Sequence, residues 1–374
     1  MINNPYANSD AQQPRSLIRV NDQQLLPISW EVNNNGYYQA DTFEIELSID
    51  DLPASHDLNW FCLQTALKVE IFSGWPSDPN NPVAYELEQH MLGLVDDMEP
   101  DLVNRTLRLS GRDLSGQLID TRTTDKYPNL TASQVATKLA ATVGLTPEVT
   151  KTTTKVGTYY QIDTSLSSKS TPQWDLLTFL AQREGFLCYV RGTKLYFGPP
   201  PADSDNPYVL QWTPPGFGTS GPQLNASTLQ LRRNLTLAKD LIVEVRSWNP
   251  KTKTAVLKKA TATHTVKTYL SGLPQPVGNA QVYGYNIPGL TPKEAQDRAN
   301  ALLKELSKHE LVLSATLPGD ESMDITVPLE LRGTGTFFDQ RYYVDSVQRH
   351  MDVSGYTMSV TAKNHPVESR VILE

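Results

Sequence analysis

Apolar and polar residues alternate over long stretches at both ends of the chain. Between 17 and 50, SLIRVNDQQLLPISWEV and YYQADTFEIELSID follow the period of two expected of half-buried strands. ALKVEIFSGW (66–75), QHMLGLVDDMEP and NRTLRLSGRD continue the pattern. The first third therefore predicts short strands with turns between them, arranged as a small barrel or sandwich.

The period then changes. In TASQVATKLAATVG, Thr131 stands at an N-cap with Gln134 three residues on, Val135, Leu139 and Val143 share one face, and Gly144 supplies a stop. TPQWDLLTFLAQREGFLCYVRGTKLYFG (171–198) predicts a second helix running into a hairpin. Thr171 caps it, Pro172 takes the first helical position, Trp174, Leu177, Leu180 and Ala181 form the buried stripe, and Gly185 ends it. FLCYV and KLYFG are then strands joined at Arg191, Gly192 and Thr193. The intervening Thr/Lys stretch, TKTTTKVGTYY, reads as a hairpin or loop.

Prolines crowd 199–222, which reads as a linker or crossover. Strands resume in STLQLRRNLTLAKDLIVEVRSWNP and TAVLKKATATHTVKTYL. A helix follows, capped by Thr291 with Pro292 and Glu294 behind it and striped by Ala295, Ala299, Leu302 and Leu306. A β-meander closes the chain. Two hairpins, 90–113 and 342–364, resemble one another: Val95 matches Val347, Thr106 matches Thr357, and Leu107 and Leu109 match Met358 and Val360. Half-buried hairpins look alike in general, so the similarity is either generic or the trace of a duplication.

Composition narrows the function. With 374 residues and 39% apolar content the chain can build several cores. Its net charge of -8 argues against a nucleic-acid reader, which would carry a basic footprint. The N-terminal segment is polar and predicts no secretory signal, and no apolar run is long enough to span a membrane. The two cysteines, Cys62 and Cys188, form no metal or disulfide pattern and read as buried thiols. The six histidines fall in no ligand spacing, so no metal or cofactor is expected.

Paired acids, Asp50 with Asp51 and Asp96 with Asp97, raise the alternative of a cell-wall hydrolase, with Glu184 as a further acid. Acids in turns are more often simply solvated. The tyrosine pairs in 36–38 and 158–160 raise a receptor- or carbohydrate-binding tail protein as the other alternative, although tyrosine is common in strands.

The order of these segments resembles the phage tail and baseplate hub family, which includes late control protein D, Mu-type tail hubs and the hub part of type VI secretion spike proteins. Gly111-Arg112-Asp113 matches its GRD at the end of a barrel, followed by Leu118 and Asp120. Trp174, Leu177 and Leu180 match its helix, and Glu184 and Gly185 the step before its hairpin. Tyr343, Val344, Val347, His350, Gly355 and Tyr356 match its closing meander.

The resemblance implies a mainly β fold with α+β parts: two tube-type β-barrel domains plus peripheral α/β domains. The expected division is 1–118 for the first barrel, 119–200 for an α/β domain, and 201–374 for the second barrel with an α/β segment inserted around 255–312. It further implies a homotrimeric, non-enzymatic virion protein, made in the bacterial host cytoplasm and placed at the tail tip or baseplate. The implied partners are a tail tube or distal tail protein, a central spike or tip protein, baseplate wedge proteins and a tape measure protein. DNA would pass through its lumen without specific binding. No lysozyme-like or β-helical extension follows the matched segments, so a spike is expected to be a separate protein.

Overall fold

The computed structural model describes residues 13–364 except 37, 81–82, 124–126, 128, 154–170, 200–205, 217–220, 236–239, 250–252, 263–279 and 308–309. The pair in 158–160, most of the Thr/Lys stretch, and His264, His309 and His365 lie outside the described residues. The chain is mainly β, with helices α1 (Leu58–Leu63), α2 (Gly116–Asp120), α3 (Ala132–Thr142), α4 (Gln173–Glu184) and α5 (Pro292–Ser307).

Fourteen strands form one sheet that runs through two lobes. The first lobe takes its strands from 15–113 and the second from 208–233 and 311–364. They share strand Arg341–Asp352, whose Tyr342 pairs with Leu329 and whose Ser346–Met351 pair with Trp30–Asn35 of the first lobe. Trp30, Ile45, Ile71, Leu107 and Leu109 centre the first core; Tyr208, Leu313, Tyr342, Val347 and Val360 centre the second. Tyr356, although in the second lobe's hairpin, is buried in the first core.

The two hairpins correspond more closely than the sequence suggested, in a corrected register. Both are bulged at one place. The bulge follows Val95 opposite Gly111 and Ser110 in the first, and Val344 opposite Ala362 and Thr361 in the second. Val95 therefore matches Val344, not Val347, because the second hairpin runs two pairs further, to Asp352 opposite Gly355, whereas the first ends at Asp101 opposite Thr106, and Leu107/Met358 and Leu109/Val360 stay aligned. The inward positions end in two buried polar residues, Asp113 and Asn364.

Two units sit outside the shared sheet. In one, α2, α3 and α4 pack with strands Thr146–Val149, Leu187–Arg191 and Lys194–Gly198 over Val135, Leu139, Trp174, Leu177, Leu180 and Phe197. The capping box on α3 forms: Gln134 N–H donates to Thr131 Oγ1 at 3.4 Å and Thr131 N–H to Gln134 Oε1 at 2.9 Å. Such a cap contributes about 1 kcal/mol. α4 starts one residue later than its sequence indicates. Pro172 is its N-cap and Thr171 lies in a short strand against Thr123, because the Gln173 N–H donates to Thr121 O at 2.9 Å rather than to a side chain. Gly185, at φ 70°, ends it as expected.

In the other unit, strands Leu241–Asn249, Thr254–Ala262 and Gln281–Asn286 form a separate sheet under α5. Leu303 is buried there with Ala295 and Ala299, while Leu302 and Leu306 pack at the margin. The proline-rich segment is not all linker, since Tyr208–Thr213 pairs in parallel with Leu329–Arg332. Cys188 is buried and Cys62, on α1, is exposed, against the expectation of two buried thiols.

Candidate functional site: a polar seam between the lobes

Where the lobes meet the first α/β unit, polar side chains fill inward positions of the sheet. Alternation puts Asn34 after Val32 and Arg349 between Val347 and Met351, so both point into the interior. Arg349 Nη1 donates to Asn34 Oδ1 at 2.9 Å, and Nη2 donates to the Met323 carbonyl. Asn34 Nδ2 donates to Asp41 Oδ2 at 2.9 Å. A single guanidinium thus ties strand 27–35 to the loop 319–328.

That loop supplies three acids. Asp320 accepts from Tyr208 Oη at 3.1 Å, Asp324 pairs with Arg191 of the neighbouring hairpin at 2.7 Å, and Glu321 lies 4.0 Å from His90 Nε2. Burial, with Arg349 and Arg191 nearby, holds His90 well below the usual imidazole range, so it is neutral. Burial raises the Glu321 carboxyl. Burial would also raise Asp324, but the Arg191 guanidinium outweighs it and the carboxyl sits below its ordinary value.

Asp113 and Asp41 form the seam's other end. Burial and then the Asp41 charge push Asp113 up to about 8, and burial pushes Asp41 up to about 6. Asp113 accepts from the backbone N–H and hydroxyl of Ser115, turning the chain from its strand into α2. Within GRD, Gly111 is needed for space, because a Cβ there would stand 2.1 Å from Leu94 O and 2.8 Å from the Phe43 ring. Arg112 points outward and bridges Asp96 (2.6 Å) and Asp120 (3.0 Å), which brings GRD together with the L-x-D that follows. Replacing Arg112 with glutamine should cost about 1 kcal/mol at this half-exposed bridge, read as a lower denaturant midpoint. No change would mean the bridge only fixes geometry.

The remaining motif residues divide. Trp174, Leu177 and Leu180 are core, and Trp174 Nε1 donates to Tyr38 O at 3.0 Å, docking α4 on the first lobe. Glu184 is half-buried at the end of α4, where burial raises its carboxyl. Val344 and Val347 are core, Tyr343 is half-buried, and Gly355 occupies a turn at φ 139°. His350 Nε2 lies 3.3 Å from Asp352 on the outward face, and Tyr356 Oη accepts from Ser73 at 2.9 Å in the seam. Asn34, Asp41, His90, Glu321 and Arg349 were not marked by sequence reasoning, although a charged residue between Val347 and Met351 on the inward parity was a legible signal. Of the acids considered for hydrolysis, Asp96 is engaged by Arg112 and Asp50 by Arg105. Among the described residues no three His, Cys, Asp or Glu side chains could hold a metal, and no helix is long and apolar enough to cross a membrane.

Residues 101–352 match the family model described as the Alg8 N-terminal domain. No curated protein matches the sequence. Among solved structures, a tail protein from Neisseria meningitidis MC58 is similar over 94% of this chain and 97% of its own, with a TM-score of 0.66 at 14% identity. The 43 kDa tail protein of prophage MuSo2 from Shewanella oneidensis is similar over 94% and 98%, with a TM-score of 0.64 at 14% identity. An E. coli component of the type VI secretion system is similar over 94% and 80%, with a TM-score of 0.50 at 8% identity. The tail-hub resemblance read from the sequence therefore holds at the level of fold.

Proposed function

The chain belongs to the Alg8 N-terminal domain family, and we propose that it serves as the structural hub of a phage or phage-like tail. In this reading three copies form a ring at the tail tip or baseplate. One side joins a hexameric tail tube or distal tail protein, and the other receives a threefold spike or tip. Wedge and tape measure proteins are further neighbours, and DNA or effector passes through the lumen. The role is mechanical rather than catalytic.

The observation that carries the reading is the pair of equivalent hairpins in one shared sheet. They agree in bulge, register and inward pattern, down to Asp113 and Asn364. Two similar lobes per chain let a threefold assembly present six similar units, which resolves the mismatch between a hexameric tube and a threefold spike. Tail proteins of N. meningitidis and of a Shewanella prophage share the fold over nearly their whole length, which supports a tail role for this chain.

Light scattering on the purified chain, with negative-stain images of the same fraction, tests it. The expected result is a particle of about three chain masses with a central hole. A compact monomer at every concentration, and with tube and spike proteins added, would overturn the reading.

A further inference from the structure

The likeness of the two hairpins extends to a salt bridge on their outward side. The residue bulged out of the first is Asp96, between Val95 and Asp97, and the residue bulged out of the second is Asp345, between Val344 and Ser346. Arg112, one position before Asp113, holds Asp96 at 2.6 Å. Lys363, one position before Asn364, holds Asp345 at 2.8 Å. The first lobe then adds a third member. Its chain runs on from Asp113 into α2, buries Leu118, and returns Asp120 to Arg112 at 3.0 Å. Among the described residues Lys363 has Asp345 alone.

Beside Lys363 the second lobe has a cleft of about 520 Å³, bounded by the end of α4, the flank of α5 and the Lys363–Asp345 pair. Leu187 and Leu302 give it apolar walls, and Arg298 and Lys304 stand on its α5 side. Arg298 Nη1 donates to the Gln182 carbonyl at 3.4 Å, and among the described residues neither cation has a carboxylate partner. Three cations and one acid thus line this cleft, in a chain whose net charge is -8. Its chemistry fits a segment that carries carboxylates beside apolar side chains.

We propose that the cleft is the docking site of the chain's own residues 365–374, HPVESRVILE, which lie outside the described residues and follow directly on Lys363 and Asn364 at its wall. Glu368 stands four residues beyond Asn364, a span of at most about 13 Å, so it can return to Lys363 as Asp120 returns to Arg112. Glu374 supplies a second carboxylate for Arg298 and Lys304, and Val371, Ile372 and Leu373 supply apolar area to cover Leu187 and Leu302. The unit that carries α5 is inserted between strands Thr228–Arg233 and Leu311–Pro318, whose ends pair at Arg233 and Leu311. A docked tail adds a second tie between that unit and the rest of the chain.

Disulfide formation tests the occupant. Ala301→Cys, at an exposed position of α5 lining the cleft, is combined with Ser369→Cys in a full chain carrying Cys62→Ser. The expected product is a bridge within one chain. Adding Arg298→Glu with Lys304→Glu should slow its formation about tenfold at low salt. Glu368→Gln with Glu374→Gln alters only the tail, should slow it as much, and serves if the reversed α5 does not fold. A labelled HPVESRVILE peptide should bind the full chain carrying those two tail changes about tenfold more tightly than wild type, whose resident tail competes. Bridges only between chains would give the cleft to a second copy, and no bridge, with the peptide bound equally by both chains, would leave it to another protein. Either result overturns the inference, as does a bridge whose rate ignores both charge changes. The hub reading is untouched by all of these outcomes, since no readout depends on a ring.

Discussion

Replacing Gly319 with alanine should lower stability by about 3 kcal/mol. A Cβ at 319 would stand 2.0 to 2.4 Å from three carbons of the Tyr356 ring. That ring cannot swing away cheaply. Its hydroxyl is bonded to Ser73 at 2.9 Å, its carbonyl accepts from the Gly319 N–H at 3.0 Å, and its body is buried in the first core. Gly319 also receives the Trp75 indole N–H at 3.2 Å, so the strain would fall where the lobes are stitched together. Denaturant unfolding followed by tryptophan fluorescence checks this. Adding Tyr356→Ala to Gly319→Ala should cost less than the sum of the two changes, because the clash is removed with the ring. A wild-type midpoint for Gly319→Ala would show that the stitch yields without cost.

Asp113→Asn should remove most of the pH dependence of stability on the alkaline side of neutrality. The Asp113 carboxyl has an ordinary value of 3.8 and is pushed up to about 8 in the fold, while Asp41 is pushed up to about 6. Raised values mean that the folded chain holds protons which the unfolded chain releases. The stability they provide is complete below the ordinary carboxylate value and is lost as pH rises through about 6 and then about 8. His90 acts oppositely, because its depressed value costs stability as pH falls below 6.5. The clean window is therefore from about pH 6.5 to 8.5, where Asp113 alone should lower wild-type stability by about 2 kcal/mol. In Asp113→Asn the thermal midpoint should be nearly flat across that window and higher than wild type at its alkaline end. The second hairpin already carries this solution, since Asn364 occupies the equivalent position and accepts from the Leu311 N–H at 3.2 Å. A variant as pH-dependent as wild type would place the buried proton elsewhere.

Local rules made much of the fold legible. Thr131 with Gln134 and Thr291 with Glu294 marked helix starts that form as expected, because a capping box is settled within one turn of chain. Gly185 marked a stop for the same reason. The start of α4 lies one residue beyond where its local sequence puts it, since its first N–H is satisfied by Thr121, 52 residues away in sequence and invisible to a local rule. The proline-rich segment hid strand Tyr208–Thr213 because its partner, Leu329–Arg332, lies far along the chain.

The site was less legible than the fold. GRD pointed to Gly111, Arg112 and Asp113, yet the three do different things: one makes room, one bridges acids outside, and one is buried in the seam. Alternation alone could have marked Arg349 and Asn34 as inward, but not as partners, since 315 residues separate them.

The sequence by itself determined the element types, the helix caps, the alternation that gives each strand a buried and an open side, and the family resemblance, because these depend on neighbours a few residues apart. Only the tertiary structure decided that two lobes share one sheet, that their hairpins match bulge for bulge, and that Asp41, Asp113, His90, Glu321 and Arg349 meet in one seam. Those outcomes depend on strand register and on desolvation, which arise when distant segments are brought together and water is removed from between them.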